Sequence, residues 1–328
     1  MKILVTGGAG YVGSHCVRTL CDDQHDVVVI DNLSTGHREA VDQRATLVVG
    51  ELGEADWLEG VFTDHEVQAV MHFAASAEVG ESVRKPLPYY RNNIGNTLLL
   101  LETMHKHDIK NIVFSSTCAT YGVPPSVPIT EDMLQLPINP YGRTKLAIEW
   151  MLSDCAAAWG LAATALRYFN AAGASADGSI GEDHEPESHL IPRVLGVALG
   201  KYDGIKIFGV DYPTADGTCV RDYVHVEDLA SVHKTAIETP RPGTLRCYNV
   251  GTGGGVSVKE LIEAARIVTG HDIPASPSRR REGDPAQLYA DPTRISTELG
   301  WKPKYTDITQ TIETAWTWHQ AHPNGFAS

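Results

Sequence analysis

Short apolar runs alternate with helical patterns through the first half of the chain. The runs are short enough and apolar enough to be strands buried on both faces of a sheet. They occupy residues 2–6, 27–30, 46–49, 69–74, 112–115 and 162–167. Helical periodicity fills the intervals between them, for example over residues 92–107. This alternation predicts an α/β fold with a doubly wound parallel sheet that carries helices on both faces.

The strict alternation weakens after residue 171, which predicts a second domain. Residues 172–189 are rich in Gly, Ser, Asp and Glu, and a helical pattern at 258–269 precedes a stretch rich in Pro and Arg. We predict that residues 1–171, with a return segment at about 221–251 that carries a strand near 248–250, form a cofactor domain. The remainder, about 172–220 and 252–328, would form a smaller α/β substrate domain.

Three glycines separate the first predicted strand from the first predicted helix. Gly7, Gly10 and Gly13 follow the strand directly, with the spacing G-x-x-G-x-x-G. Glycine at these points permits a tight turn, a close approach of the backbone to a pyrophosphate and close packing of helix on strand. The order of strand, turn and helix predicts a dinucleotide site of the Rossmann type.

A carboxylate ends the second predicted strand, where Asp31 is followed by Asn32. A carboxylate there accepts hydrogen bonds from an adenosine ribose, and its charge repels a 2′-phosphate. Taken alone, Asp31 also fits a simple turn. After a glycine turn it predicts NAD rather than NADP as the cofactor.

Tyr141 and Lys145 lie four residues apart at the start of a predicted helix, so their side chains share one face. A tyrosine titrates near pH 10, and a neighbouring ammonium favours its phenolate. Taken alone, the pair also fits a solvated helix face. Thr117 follows the strand at 112–115, on the edge where parallel sheets bind ligands, although a hydroxyl there also fits a cap or a turn.

Composition and charge exclude several other classes of protein. The net charge of −14 argues against nucleic-acid binding, because phosphate backbones are bound by positively charged surfaces. Six cysteines without a C-x-x-C pair fit a reducing cytoplasm better than a disulfide framework. The sequence shows neither a signal-type N-terminus nor an apolar stretch long enough for a membrane helix. The 14 histidines lack H-x-x-x-H and H-E-x-x-H spacings, so no metal site is expected.

Several motifs together resemble known proteins. The combination of TGGAGYVG at residues 6–13, SST at 115–117 and Tyr141-x-x-x-Lys145 resembles the extended short-chain dehydrogenase/reductase superfamily. Four later blocks resemble the UDP-glucose 4-epimerase family within it, and the match runs over nearly the whole chain. These blocks are HFAASAEVGESVRKPLPYYRNN (72–93), RYFNAAGA (167–174), DYPTADGTCVRDYVHVEDLA (211–230) and RREGD (280–284).

The resemblance implies two sets of contacts. The residues implied for NAD are Gly7, Gly10, Tyr11, Val12, Gly13, Asp31, Asn32, Glu51, Leu52, Phe73, Ala74, Ala75, Asn92, Ser115, Tyr141, Lys145 and Tyr168. Those implied for a UDP-sugar are Arg221 and Arg281 at the diphosphate, Asp284 at the uridine ribose, Lys206 and Phe208 at the uracil region, and Thr117, Tyr141, Asn170, His189 and Leu190 at its other parts.

Some positions depart from the pattern of the family. Glu51 stands where some relatives carry Asp, and Thr117 where some carry Ser, so both keep the functional group. Ala77 stands where some carry a Lys that contacts the cofactor, so that cation is dispensable or comes from elsewhere. Without the resemblance, the arginine run at residues 279–281 also fits a solvated charge cluster.

The resemblance implies interconversion of UDP-galactose and UDP-glucose through a transient 4-keto sugar. In this hypothesis, Tyr141 takes the proton of the sugar 4-hydroxyl, directly or through Thr117, while the C4 hydride passes to NAD⁺. Lys145 and the nicotinamide cation lower the pKa of Tyr141. The keto sugar then turns about its link to the diphosphate and receives the hydride on its other face, so NAD stays bound.

Related functions stay open at this point. A 4-epimerase of UDP-N-acetylhexosamines, uronates or pentoses would differ only in the sugar pocket, where Leu288 is intermediate in size. A 4,6-dehydratase is disfavoured, because Cys118 and Ala119 follow Thr117 where that group has Asp-Glu. A non-catalytic NAD-sensing module would not need Tyr141 and Lys145. The resemblance also implies a homodimer paired through the helices at 92–107 and 144–159.

Overall fold

Residues 1–281 and 284–326 are described by a computed structural model of the 328-residue chain. The strands are β1 (Lys2–Thr6), β2 (Asp26–Asp31), β3 (Thr46–Val49), β4 (Ala69–His72), β5 (Asn111–Thr117), β6 (Ala162–Tyr168), β7 (Asn170–Ala172), β8 (Ile205–Phe208), β9 (Val220–Arg221), β10 (Tyr223–His225), β11 (Thr244–Val250), β12 (Val256–Ser257), β13 (Ala275–Ser278) and β14 (Gln287–Leu288).

The helices are α1 (Tyr11–Asp22), α2 (Ala55–His65), α3 (Val79–Arg84), α4 (Pro86–Tyr89), α5 (Asn96–Lys106), α6 (Pro140–Trp159), α7 (Leu190–Ala198), α8 (Val226–Glu238), α9 (Val258–Thr269), α10 (Thr293–Leu299) and α11 (Ile308–Ala321). Short 3₁₀ turns occupy Arg38–Ala40 and Cys118–Tyr121. The helix predicted at 92–107 differs in its first part, because a π-helical turn at Tyr90–Gly95 precedes α5. None of the helices in the described ranges is both long enough and apolar enough to cross a membrane.

Seven parallel strands form the central sheet, in the order β3-β2-β1-β4-β5-β6-β11. The chain starts near the middle of the sheet, runs to one edge and then returns to build the other half. This order confirms the predicted doubly wound parallel sheet. The strand predicted near 248–250 is the last three residues of β11, which begins at Thr244.

Both faces of the sheet are buried, because successive side chains of a strand point to opposite sides. Ile3 and Val5 of β1 join the apolar cluster beneath α1 and α8, whereas Leu4 joins the cluster beneath α2, α5 and α6. This arrangement explains why the strands are continuous apolar runs rather than alternating ones.

Smaller sheets and a separate apolar cluster follow β6. β7 pairs with β10, β8 with β13, and β9 with both β12 and β14. Helices α7, α9 and α11 contribute Val194, Leu261 and Ile312 to a common buried cluster. This third apolar cluster is held together by elements that come from both sides of β11 in the sequence.

Helix α6 is tied to the sheet by a buried ion pair. Nε and Nη2 of Arg167 on β6 donate hydrogen bonds of 3.0 and 2.6 Å to the two carboxylate oxygens of Glu149. Ser116 and Gln135 also donate to that carboxylate, and Arg167 donates to the hydroxyl of Tyr121. Burial of two charges is favourable only with such full pairing. The network therefore fixes the rotation and height of α6 against the ends of β5 and β6.

Replacing Glu149 with Ala should lower the free energy of unfolding by about 3–5 kcal/mol, because the guanidinium of Arg167 would remain buried without its partner. Urea unfolding monitored by circular dichroism measures this change. The matched control is Asp154→Ala, an exposed acid on the same helix, which should change stability by less than about 0.5 kcal/mol. Equal stabilities of the two variants would contradict the assigned role of the pair.

Candidate active site

The glycine turn joins β1 to α1 at the carboxyl edge of the sheet, and its shape requires glycine at two points. Gly7 has φ +72°, and a Cβ on it would lie 2.6 Å from the backbone nitrogen of Ala74. A Cβ on Gly13 would lie 2.2 Å from the carbonyl oxygen of Gly7. The turn therefore packs directly against the segment after β4 and against its own first residue.

Gly10 has a different role, because a Cβ on it would meet only the Gly7 oxygen at 3.4 Å. The side of Gly10 without a side chain faces open space rather than protein. Among the described residues, no side chain caps the N-terminus of α1 at Gly10, so the first amides, on Tyr11, Val12 and Gly13, point outward. An open backbone and uncapped amides at a helix N-terminus fit a pyrophosphate.

The polar residues expected at the adenosine end lie together at the ends of β2 and β3. The carboxylate of Asp31 accepts the amide of Ala9 at 3.0 Å and that of Leu33 at 2.9 Å. Asn32 donates to the carboxylate of Glu51 at 2.9 Å, and Leu52 is buried beside them. Asp31 thus also ties the glycine turn to β2, and its oxygens retain lone pairs for a ribose.

The segment after β4 lines the candidate site next to the glycine turn. The strand predicted to reach residue 74 ends at His72, because the amides of Phe73 and Ala74 both turn to the carbonyl of Thr6 at 2.9 and 3.1 Å. Ala75 follows in the partly buried stretch next to Ser76, which accepts a hydrogen bond from Asn92 in the π-helical turn. The π-helical turn therefore directs the side-chain amide of Asn92 at this segment. Such turns are frequent at functional sites.

Tyr141 and Lys145 stand on the first turns of α6. The side chain of Asn139 caps the helix by accepting the amide of Gly142 at 2.8 Å, and Pro140 occupies the first turn, which explains where the helix begins. The ammonium of Lys145 donates to the carbonyl oxygen of Ser115 at 2.8 Å and lies 5.9 Å from the ring centre of Tyr141. The predicted pair therefore shares one face of α6, on which Lys145 is buried and Tyr141 is partly buried.

The hydroxyls at the ends of β5 and β6 complete this face. Thr117 is 7% exposed, and its Oγ1 accepts the amide of Ala119 at 3.1 Å, so it also caps the 3₁₀ turn that follows. The hydroxyls of Ser115 and Tyr168 lie 2.6 Å apart. Thr117 is thus both a capping residue and a neighbour of Tyr141.

Burial sets the electrostatics of this face. It raises the pKa of Tyr141 well above its ordinary value, and Tyr168 raises it further, whereas hydrogen bonding with Thr117 lowers it less. Burial also lowers the pKa of Lys145 from 10.5 to about 7, although the charge of Glu149 raises it in part. Lys145 is therefore only partly charged at neutral pH, and its ammonium is directed at a carbonyl. The lowering of the Tyr141 pKa by Lys145 and the nicotinamide cation together stays a prediction.

Two residues expected to hold different parts of the substrate contact each other. The guanidinium of Arg221 on β9 forms an ion pair with Asp284 and donates to the carbonyls of Val220 and Pro285 at 2.7 and 2.8 Å. The charge of Arg221 lowers the pKa of Cys118, the residue after Thr117, although burial raises that pKa to about 12 overall. Leu288, which pairs in register with Arg221, packs against the same small apolar cluster as Cys118, so the ion pair lies near the residue that follows Thr117.

A second basic group lies on β8. Lys206 and Phe208 share the exposed side of this strand, and the guanidinium of Arg281 lies 4.3 Å from the ring centre of Phe208. The neighbouring Arg280 instead pairs with Asp211 at 2.7 Å. Arg280 and Arg281 of the arginine run therefore contact different partners. The third and fourth residues of the RREGD block, 282 and 283, lie outside the described residues.

The remaining expected substrate residues border the third apolar cluster, that of α7, α9 and α11. The backbone amide and the side-chain amide of Asn170 both donate to the carbonyl of Asp222, each at 3.0 Å. His189 is the N-cap residue of α7, and Leu190 is the first residue of that helix. The imidazole of His189 hydrogen-bonds to the buried carboxylate of Glu182. These contacts link His189 to the loop before α7 rather than to Tyr141.

Sequence reasoning missed two groups of residues. Glu149 lies eight residues after Tyr141 on the same helical face, a spacing that could have indicated a shared role, but its partner Arg167 comes from a distant strand. The other group is the loop cluster, defined as the side chains of Glu182, His184, Glu187 and His189. Its signal is the pattern E-x-H-x-x-E-x-H, which differs from the spacings considered in the sequence.

The class of protein that this fold and site define is a dinucleotide-dependent enzyme of the short-chain dehydrogenase/reductase type. Its marks are the parallel sheet with a glycine turn after β1, an acidic residue at the end of β2, and a partly buried Tyr141 with a buried Lys145 at the same edge. The model of the NAD dependent epimerase/dehydratase family matches residues 3–251, which is more than half of the chain. The chain belongs to this family.

Individual relatives support the same assignment. A UDP-glucose 4-epimerase of Halalkalibacterium halodurans is 52% identical over 329 residues, which cover 100% of this chain and 98% of the relative. UDP-arabinose 4-epimerase 1 of Arabidopsis thaliana is 44% identical, over 99% of this chain and 80% of the relative. The crystal structure of UDP-glucose 4-epimerase from Bifidobacterium longum in complex with NAD⁺ and UDP has a TM-score of 0.94 and 38% identity, over 99% of this chain and 100% of that chain. These findings confirm the predicted resemblance, fold class and cofactor.

Gly10→Ala should reduce bound NAD at least tenfold while the free energy of unfolding changes by less than about 1 kcal/mol, because the added methyl group fits the protein but fills the space next to the helix N-terminus. The NAD released from denatured protein by chromatography measures the effect. Gly60→Ala is the control, since a Cβ at this position in α2 meets nothing within 4 Å. Wild-type NAD content in Gly10→Ala would contradict a phosphate site here.

Lys145 should make stability depend on pH. Because its pKa falls from 10.5 to about 7 on folding, the unfolded chain binds more protons between these values and stability rises with pH through that interval. Relative to Lys145→Met, nucleotide-stripped wild-type protein should gain about 2–3 kcal/mol between pH 6 and pH 9 in urea unfolding. The exposed Lys201→Met variant should keep the wild-type dependence. Parallel curves for wild type and Lys145→Met would disprove the assignment.

Proposed function

We propose that this chain interconverts UDP-galactose and UDP-glucose by inverting C4 of the hexose. The observation that carries the proposal is the partly buried Tyr141 beside the buried Thr117, at the carboxyl edge of the sheet and next to a glycine turn that fits a pyrophosphate. The full-length similarity to a UDP-glucose 4-epimerase supports it.

Tyr141 is the proposed acid and base of the reaction. Its phenolate takes the proton of the sugar 4-hydroxyl, directly or through Thr117, and the phenol so formed returns that proton to the same oxygen in the second half of the reaction. Bound NAD⁺ supplies the hydride acceptor for C4 and a positive charge at the site. Because burial raises the pKa of Tyr141, the phenol holds its proton until such a charge is present.

Lys145 acts in this proposal chiefly by position. Its hydrogen bond to the carbonyl of Ser115 fixes the end of β5 next to Tyr141. The carboxylate of Glu149, one helical turn further along α6, favours the charged form of Lys145. Proton transfer at Tyr141 and the charge on Lys145 are therefore coupled through one helical face.

We propose that Arg221, Arg281 and Asp284 bind the UDP part of the substrate. A guanidinium binds phosphate oxygens in a bidentate fork, and Arg221 is held in place by two backbone carbonyls. Its ion pair with Asp284 must open or rearrange when the diphosphate enters and Asp284 turns to the uridine ribose. Phe208 and Lys206 would then border the uracil, and Asn170, His189 and Leu190 the rest of the UDP-sugar.

Other UDP-sugars are the alternative substrates. The relative named UDP-arabinose 4-epimerase 1 favours a pentose as a second candidate. Leu288 on β14 pairs in register with Arg221 on β9, so its side chain lies close to the proposed diphosphate site and would limit the size of the sugar. Assays with UDP-arabinose and UDP-N-acetylglucosamine test both alternatives. A 4,6-dehydratase remains disfavoured, because Cys118 and Ala119 supply neither of the acids that this chemistry needs.

Three further proposals concern the organisation of the protein. We propose a cofactor domain of residues 1–171 with about 221–251 and a substrate domain of the remainder, which the separate apolar cluster of α7, α9 and α11 supports.

A homodimer through α5 and α6 is supported by Leu98 and Trp150, which are 49% and 63% exposed on these helices. Analytical ultracentrifugation measures this oligomeric state. The six free cysteines support a reducing cytoplasmic location.

Tyr141→Phe should lower the conversion of UDP-galactose to UDP-glucose by about 100-fold or more, because the acid and base group is lost while the ring remains. Separation of the sugar nucleotides by anion exchange measures the conversion, and unchanged NAD content shows that the fold is intact. Tyr202→Phe is the matched control, since the ring of Tyr202 packs on Arg193 far along the chain from α6. Near-normal turnover in Tyr141→Phe would refute the assigned role.

A further inference from the structure

Four side chains with metal-binding atoms converge in the irregular loop between β7 and α7. One ligand atom from each member of the loop cluster, Glu182, His184, Glu187 and His189, lies within 4.8 Å of all the others. Two imidazole nitrogens and two carboxylate oxygens are a ligand set that zinc prefers. All four come from eight consecutive residues, so one loop brings them together.

The separations leave space for an ion. Nδ1 of His184 lies 3.3 Å from a carboxylate oxygen of Glu182. The carboxylate oxygens of Glu187 lie 3.9 Å from Nδ1 of His184 and 3.8 Å from Nδ1 of His189. Ligands about 2.1 Å from a tetrahedral ion lie about 3.4 Å apart, so these three separations need only small adjustments. His189 and Glu182 are in direct hydrogen-bond contact and would have to separate slightly.

Charge and burial favour a cation at the centre of the loop cluster. The side chain of Glu182 is only 5% exposed, and a buried carboxylate requires a positive partner. The imidazoles of His184 and His189 aim their Nδ1 atoms at the same oxygen of Glu182.

Contacts outside the loop cluster hold the loop in place. The indole of Trp318 donates to the carbonyl of Glu182 at 3.2 Å, and a Cβ on Gly181 would collide with the same ring. Asp183 turns its carboxylate to the amide of Phe326 at 2.9 Å. Alternate residues of the loop therefore face α11 and the segment after it, and the four ligand side chains are free to face one another.

We propose that the loop cluster binds one divalent transition-metal ion, best matched by Zn²⁺. Four protein ligands would close its coordination sphere, so the ion would be structural rather than catalytic. It would fasten the loop immediately before α7, where the proposed substrate residues His189 and Leu190 lie. His189 contributes Nδ1 to the cluster, which leaves Nε2 for the substrate.

The chain offers a matched control cluster made of Asp23, His25 and Glu238. It contains a single imidazole, and the ammonium of Lys234 already lies 2.5 Å from Asp23 and 3.5 Å from Glu238. A lysine there supplies the positive charge that a metal would bring. This second cluster should therefore bind zinc weakly.

The test uses the purified full-length protein with its bound NAD, dialysed against a chelator and then titrated with Zn²⁺ by calorimetry. We expect one tight site per chain, and the double variant His184→Gln/Glu187→Gln should bind at least 100-fold more weakly. The control double variant His25→Gln/Glu238→Gln should bind like the wild type. Circular dichroism and NAD content verify the folding of each variant.

A measurement on the wild-type protein alone keeps the test decisive if a variant fails to fold. X-ray absorption at the zinc edge should show two imidazole nitrogens among four light-atom ligands. Absence of a tight site in the wild type, equal affinities of the wild type and the loop variant, or fewer than two imidazoles would each overturn the proposal. None of these readouts depends on epimerase activity, so a failure here is distinguishable from a failure of the proposed function.

Discussion

The buried ion pair between Glu149 and Arg167 is the interaction on which the proposed active site depends. It joins the middle of α6 to β6, so the first turns of that helix are held over the carboxyl ends of β5 and β6. Tyr141, Lys145 and Glu149 occupy one helical face at intervals of four residues. A shift of this helix would move the acid and base group and the lysine together, away from the hydroxyls of Ser115 and Thr117. Stability and chemistry therefore rest on the same contact.

Burial has opposite consequences for the two functional groups on α6. It raises the pKa of Tyr141 and lowers that of Lys145, so both groups favour their neutral forms. A water-poor site strengthens every charge that enters it, which makes the phenol responsive to a cation brought by the cofactor. A tyrosine that stays protonated until then can serve as base in one half of the reaction and as acid in the other.

Much of the fold follows from local patterns in the sequence. Apolar runs predicted the strands of the central sheet, and the glycine spacing and the four-residue interval predicted the cofactor turn and the Tyr141–Lys145 pair. What the sequence could not supply came from contacts between distant segments, such as Arg167 with Glu149 and Arg221 with Asp284. The burial that raises the pKa of Tyr141 could not be predicted either, because spacing indicates which residues are neighbours but not how much water surrounds them. The loop cluster was missed because its ligands converge only in an irregular loop.

The most direct test of the central claim is to mix the purified protein with UDP-galactose, without added NAD, and to follow both the sugar nucleotides and the absorbance of NADH. Tyr141 acting in both directions at one site predicts that UDP-galactose and UDP-glucose reach equilibrium over many turnovers, while no net NADH accumulates. A lack of any altered sugar, or one equivalent of a stable oxidised sugar with one of NADH, would contradict the account.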